Sequence, residues 1–147
     1  MPIKLQNGKI FKAGFNIRPL TKECLELANK FYEVIVFTAS HKYYADVILD
    51  YMDPTGELIQ HRLYREHCVP TTDNVYIKDL RIFEGRDMKD LIIVDNAVYS
   101  FGSQLSNGIP ILPFKFDKED IEFTDLMYYI EAIHNQPDYR VCNEQAF

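Results

Sequence analysis

Two short apolar runs of the same grammar decide what this chain can become. Glu33-Val34-Ile35-Val36-Phe37 is almost wholly apolar and rich in β-branched residues, and it breaks at once into Thr38-Ala39-Ser40. Leu91-Ile92-Ile93-Val94 stops in the same manner, at Asp95-Asn96. Runs this short, closed by polar residues, suit strands buried on both faces of a parallel sheet. In open α/β sheets, ligands collect just beyond the carboxyl ends of such strands. Thr38 then stands at a ligand-facing edge, with Ser40 or His41 opening the helix that follows. The other reading is that Thr38 and Ser40 only cap that helix. The second run tips the balance, because two buried strands ending in charge-handling side chains are how a doubly wound domain builds a phosphate site.

The rest of the chain fits that frame. Pro2-Ile3-Lys4-Leu5 and Ile10-Phe11-Lys12-Ala13 flank an Asn7-Gly8 turn signal, the signature of an N-terminal β-hairpin. Pro19 reads as just inside a helix start, with Leu20, Cys24, Leu27 or Ala28, and Phe31 recurring at helical spacing. Residues 42–52 read as a second amphipathic helix, with Tyr44, Val47, Ile48 and Tyr51 on one face. Strands are expected over 58–65, 75–77, 91–95 and 109–114, and a short helix or turn over 97–105. A last helix is expected over 119–134, with Leu126, Ile130 and Ile133 inward. Strand and helix alternate from residue 20 onward, so the fold class is α/β with a mostly parallel sheet flanked by helices.

Composition narrows the function classes. At 147 residues, 47% hydrophobic and 14% aromatic, the chain suits one globular domain. Its apolar runs stop at four or five residues, far short of the ~20 that span a bilayer. Met1 to Gly14 has neither the apolar core of a secretory signal nor the arginines of a transit sequence. A net charge of −6 with no basic block argues against binding nucleic acid or anionic lipid. Cys24, Cys68 and Cys142 are widely spaced and read as thiols of a reducing compartment, so an intracellular domain, cytoplasmic or nuclear, is expected.

Several side chains could carry phosphate and metal chemistry. Thr38 offers a hydroxyl at a strand end, and Lys78 could neutralise phosphate oxygens as a compact point charge. Asp95 and Asn96 offer hard oxygen ligands suited to Mg²⁺. Arg65 could contact a phosphate or a phosphopeptide. Each has an ordinary alternative: Lys78-Asp79 as a solvated pair, Asp95-Asn96 as a helix cap, Arg65-Glu66 as a surface couple. Tyr43, Tyr44, Tyr51 and Tyr64 could wall a substrate pocket or simply pack. His61, His67 and Cys68 fit no usual zinc spacing and lack a fourth ligand.

Taken together, the motifs resemble one family. Phe37-Thr38-Ala39-Ser40, Tyr44-Ala45-Asp46, His61 to Cys68, Tyr76-Ile77-Lys78-Asp79-Leu80 and Val94-Asp95-Asn96 stand in the order found in the small C-terminal-domain phosphatases. These are also called NLI-interacting-factor-like or Dullard-like phosphatases, of the haloacid dehalogenase superfamily. The resemblance spans residues 2 to about 134, a single domain. It implies a Rossmann-like sheet and Mg²⁺-dependent hydrolysis of phosphoserine or phosphothreonine in proteins. By that analogy Thr38 and Lys78 hold the phosphoryl group, Asp95 and Asn96 serve the metal, Tyr44 lines the substrate pocket and Arg65 lies nearby.

One departure stands out. The family's Asp-x-Asp-x-Thr motif, which supplies the attacking aspartate and an acid/base, precedes the hairpin, and it occurs nowhere in residues 1–147. Loss of a nucleophile costs on the order of 10⁶-fold in other covalent enzymes. The expectation is therefore a phosphatase-like domain without its nucleophile, a non-catalytic binding or structural subunit of a larger assembly. The alternative is one piece of an active phosphatase whose catalytic strand lies on another chain or outside this sequence. In the superfamily that strand is central, between those ending at Thr38 and Asp95. Something is then expected to fill the gap: a separate polypeptide, a strand from a protein partner, or direct pairing of the two flanking strands.

Overall fold

The computed structural model describes residues 2–4, 10–12 and 14–147, with side chains from residue 14 onward. The chain opens with an antiparallel hairpin, β1 (Pro2–Lys4) against β2 (Ile10–Lys12). The turn expected at Asn7-Gly8 lies outside the described residues. Then follow α1 (Thr21–Phe31), β3 (Ile35–Phe37), α2 (Lys42–Met52) and β4 (His61–Leu63). A small antiparallel pair, β5 (Val69–Pro70) with β6 (Tyr76–Ile77), precedes β7 (Ile93–Asp95). A kinked 3-10 segment (Val98–Asn107) leads to β8 (Gly108–Pro110), and α3 (Glu122–Ile133) and α4 (Tyr139–Ala146) close the chain.

The parallel part consists of two pairs. β3 runs parallel to β4, with Val36 opposite Arg62, and β7 runs parallel to β8, with Val94 opposite Ile109. Among the described residues β3 and β7 do not pair with each other, so the expected alternative of direct pairing between these two strands is not observed.

Each pair has its own apolar backing. Ala45 and Leu49 of α2 pack with Ile59 and Tyr64 against Val36. Cys24 of α1 and Leu126 and Ile130 of α3 cluster with Ile109 of β8. On the other side, Leu80, Ile93 and Phe101 form a third cluster beneath β7. The 3-10 segment kinks where Phe101 and Gln104 leave helical geometry, and Phe101 is only 2% exposed. Its ring lies where a side chain at Gly108 would have to be, so β8 needs glycine at that position.

Three expectations are corrected. The buried face of α2 is Ala45 and Leu49, whereas Tyr51 is 67% exposed and meets Phe15 edge-on at the surface. Small Ala45 lets the helix approach the strands, and Asp46 turns it by bonding Arg62 of β4 and the Tyr64 hydroxyl. Pro19 lies before α1 rather than inside it, because Leu20 adopts a left-handed φ of 67° immediately ahead of the helix. The last expected helix is followed by another, α4, capped by the Asp138 carboxylate on the Arg140 N–H. Leu126, Ile130 and Ile133 do face inward, as their spacing predicts. Among the described residues no helix is long and apolar enough to cross a membrane.

Candidate phosphate site

β3 delivers Thr38 to the carboxyl edge of its pair, and the parallel ladder extends one step further as the Thr38 N–H donates to Leu63 O (2.9 Å). The Thr38 hydroxyl oxygen accepts the Ser40 N–H (3.0 Å), shaping the Thr38–His41 loop before α2. His41 caps the helix without a side-chain bond. The reading of Thr38 and Ser40 as caps of α2 is therefore not the geometry observed.

Arg65 holds that loop. Its Nε donates to Ala39 O (2.6 Å), its Nη1 meets His41 Nε2 (3.0 Å), and the guanidinium lies 4.7 Å from the centre of the Tyr76 ring. A planar, charged group that both donates in a fork and stacks on an aromatic face suits arginine and not lysine. Through it the loop after β3 is tied to β6, two residues before Lys78.

Lys78 is fixed from both sides along the chain. Its backbone N–H donates to Ser100 O of the 3-10 segment (2.8 Å). The next residue, Asp79, accepts from Arg81 and from Gln104 Nε2 (2.9 Å), while Gln104 Oε1 accepts the Leu80 N–H (2.9 Å). The Arg81 guanidinium holds the Asp79 carboxyl well below the usual carboxylate range against the opposing effect of burial, and the Arg81 N–H and Gln104 add to it. With its backbone so anchored, Lys78 places Nζ 2.5 Å from Asp95 Oδ2; the two side chains are 13% and 8% exposed. Asp95 Oδ1 accepts the Ala97 N–H (2.9 Å).

Cys68 lies within range of these charges. Its Sγ contacts Thr38 O and Tyr64 O, both at 3.8 Å. Burial raises its thiol pKa; the positive charges of Lys78 and Arg65 pull the other way and Asp95 adds to the rise. The charges of Arg65, Lys78 and Asp95 are thus felt at a thiol that itself touches the Thr38 carbonyl. Nothing in the sequence singled out Cys68, Gln104 or Tyr76 for this work, although Tyr76 sits one β-period before Lys78.

Asn96 and Tyr44 are less engaged. Asn96 is exposed, and among the described residues its amide has no hydrogen bond. Tyr44 is half-buried in the first turn of α2, its backbone N–H on His41 O (3.1 Å), which sets it beside the Thr38 loop. Asp95 and Asn96 are hard oxygen donors, right in kind for Mg²⁺. They do not fit the ion in number, since among the described residues no three His, Cys, Asp or Glu side chains converge.

Comparison with known proteins points to one family. The profile of one family, described as NLI interacting factor-like phosphatase, matches residues 1–140. The chain is 44% identical over 132 residues to CTD small phosphatase-like protein 3 of Caenorhabditis elegans, covering 90% of this chain and 45% of that protein. It is 33% identical over 148 aligned positions to CTD small phosphatase-like protein of Homo sapiens, covering 97% of this chain and 52% of that one. The chain thus spans about half the length of these relatives. In fold it is similar to the fission yeast RNA polymerase II CTD phosphatase Fcp1 bound to beryllium fluoride, with a TM-score of 0.64 at 17% identity. That match covers 99% of this chain and 43% of the other.

Proposed function

Since the chain belongs to the NLI interacting factor-like phosphatase family, we propose that residues 1–147 form the phosphate-gripping part of a serine/threonine protein phosphatase-like domain, which alone binds phosphorylated peptide without hydrolysing it. The observation that carries this reading is the nearly buried Lys78–Asp95 pair at the strand ends, with Arg65 tying the Thr38–His41 loop to Tyr76, two residues before Lys78. Lys78 supplies the charge that a phosphoryl group needs in a weakly hydrated site, and the Thr38 hydroxyl can donate its O–H while its oxygen accepts from Ser40. Arg65 keeps the Thr38–His41 loop at its working distance from Lys78. Tyr44, on the adjoining turn of α2, offers an aromatic wall to the peptide.

The same contacts support a reading without turnover. A phosphoaspartyl mechanism needs a carboxylate aimed at phosphorus with a free lone pair. Asp95 is committed to Lys78 and Ala97, and it is the carboxylate that Lys78 touches among the described residues. The 147-residue chain is therefore expected to bind a phosphoserine peptide, to lose that binding on Lys78→Met, and to release no phosphate in the presence of Mg²⁺. Phosphate release by this chain that a chelator abolishes overturns the non-catalytic reading.

One observation favours a second reading. Among the described residues β3 and β7 each have a single parallel neighbour and do not pair with each other, an arrangement open to a third strand between them. A strand entering between them, from a partner or from a longer form of the same polypeptide, would bring an attacking carboxylate to Lys78 and make an active phosphatase. The intact mass of the native protein, with an assay at that length, separates the two.

A further inference from the structure

Lys78 has two possible anionic partners: the Asp95 carboxylate, which it already holds at 2.5 Å, and any phosphoryl group that enters the site. With the two side chains 13% and 8% exposed, water does little to screen either choice. An arriving oxyanion must take the ammonium from Asp95 and then lie against that carboxylate's charge. The whole-chain charge of −6 gives the oxyanion no help. Arg65 is anchored through Nε on Ala39 O, Nη1 on His41 and its face on Tyr76, so it meets an oxyanion only with the N–H donors those contacts leave over.

We propose that Asp95 is a built-in competitor that holds Lys78 closed, so that the chain grips an oxyanion weakly until something draws the Asp95 carboxylate away. This rests on the phosphate-site reading above and deepens it. It reverses the naive expectation for a site residue, because neutralising Asp95 strengthens oxyanion binding. The Asp95 backbone is held independently, its carbonyl accepting the Ile111 N–H (3.2 Å) and its chain paired along β8. An asparagine there keeps an oxygen for the Ala97 N–H while surrendering the charge.

The test measures binding of inorganic phosphate by calorimetry in metal-free buffer, on the 147-residue chain and its variants. Asp95→Asn is expected to bind at least about tenfold more tightly than wild type, the change that a pairing energy of ~1.4 kcal/mol represents. Adding Lys78→Met to Asp95→Asn is expected to abolish the gain. Asp95→Ser, whose hydroxyl oxygen can also accept the Ala97 N–H, is the second variant should the first not fold. Measurable binding by wild type with equal or weaker binding by the folded Asp95 variants overturns the competitor role and leaves the phosphate site standing. Failure of both wild type and folded Asp95 variants to bind phosphate overturns the phosphate site itself, and the competitor role with it.

Discussion

Replacing Gly108 with alanine tests the packing that positions Lys78. An added Cβ would lie 2.0, 2.2 and 2.6 Å from the Cε2, Cδ2 and Cζ atoms of Phe101. Carbon atoms pack at about 3.5–4.0 Å, so the ring edge must retreat by roughly 1.5 Å. Phe101 is 2% exposed and clustered with Leu80 and Ile93, at 3% and 8%, so there is no free space behind it. Overpacking of a tight core costs ~1–3 kcal/mol, and an overlap with three ring atoms belongs at the upper end of that range. A loss of ~3 kcal/mol corresponds to a fall in Tm of roughly 6–12 °C for a chain of this length. Urea unfolding should show a lower midpoint at an unchanged slope. Phe101→Leu should relieve the clash, so that the cost of Gly108→Ala falls below ~1 kcal/mol in that background. Strict additivity of the two substitutions would refute the contact. Ser100, next to Phe101, accepts the Lys78 N–H (2.8 Å), so Gly108→Ala should also weaken phosphopeptide binding while the protein is still folded.

Other consequences are narrower. Arg65→Lys keeps the charge but loses the fork and the stacked plane, and should cost ~1–2 kcal/mol in stability with weaker phosphopeptide binding; wild-type affinity would mean the Thr38 loop does not depend on Arg65. The folded-state pKa of Asp79 lies below the unfolded value of about 3.9, so its stabilisation is complete above about pH 4 and is lost as pH falls towards the folded value. Urea midpoints should therefore fall more steeply between pH 4 and pH 2 in wild type than in Asp79→Asn, and parallel pH profiles would remove Asp79 from the account. Burial pushes the Cys24 thiol up to about 11, so alkylation of the native protein followed by peptide mass mapping should modify half-buried Cys142 first and Cys24 last. Equal rates at the two would contradict the α1–α3 packing.

What was legible in the sequence was whatever a local pattern dictates. The two apolar runs became β3 and β7, with Thr38 and Asp95 at their carboxyl ends. The i, i+4, i+7 spacing of Leu126, Ile130 and Ile133 faces the core as read. The orientation of α2 was not legible, because Tyr44, Val47, Ile48 and Tyr51 make the more apolar stripe. Asp46 overrides that stripe through partners on and just after β4 that lie 16 and 18 residues away. Helix α4 announces itself only by Asp138. Its anchor is Asn143, which accepts from the Tyr129 hydroxyl (2.6 Å) and donates to Ser106 O (2.9 Å), contacts with no periodicity to read. Thr38, Lys78, Arg65 and Asp95 could be nominated by residue type and strand-end placement. Their mutual placement could not, since it depends on how four loops pack.

The two parallel pairs raise a further question of energy, because side chains rather than a ladder join them. Phe83 meets Phe37 edge-on at 6.4 Å, and Arg86 reaches Glu33 (2.6 Å) across a cavity of about 330 Å³ whose apolar lining is Ile35, Leu63 and Phe83. At the other end Arg65, bound to Ala39 O after β3, stacks on Tyr76 of β6, and Lys78, two residues on, reaches Asp95 of β7. The Arg86–Glu33 bridge, 52% and 30% exposed, is worth at most ~1 kcal/mol in water. Meanwhile Val94 is 36% exposed and Ile35 to Phe37 are only half-buried, little cover for apolar strands of a parallel sheet. An inserted strand would gain a ladder on both sides at once for the loss of weak side-chain stitches. The test is an extended, β-branched peptide ending in Asp-x-Asp-x-Thr, added in excess, with amide hydrogen exchange followed along residues 35–37 and 93–95. Protection should rise in both stretches together and saturate at one peptide per chain. Protection confined to one of them would mean that the peptide has merely extended an edge, and that β3 and β7 do not flank a common third strand.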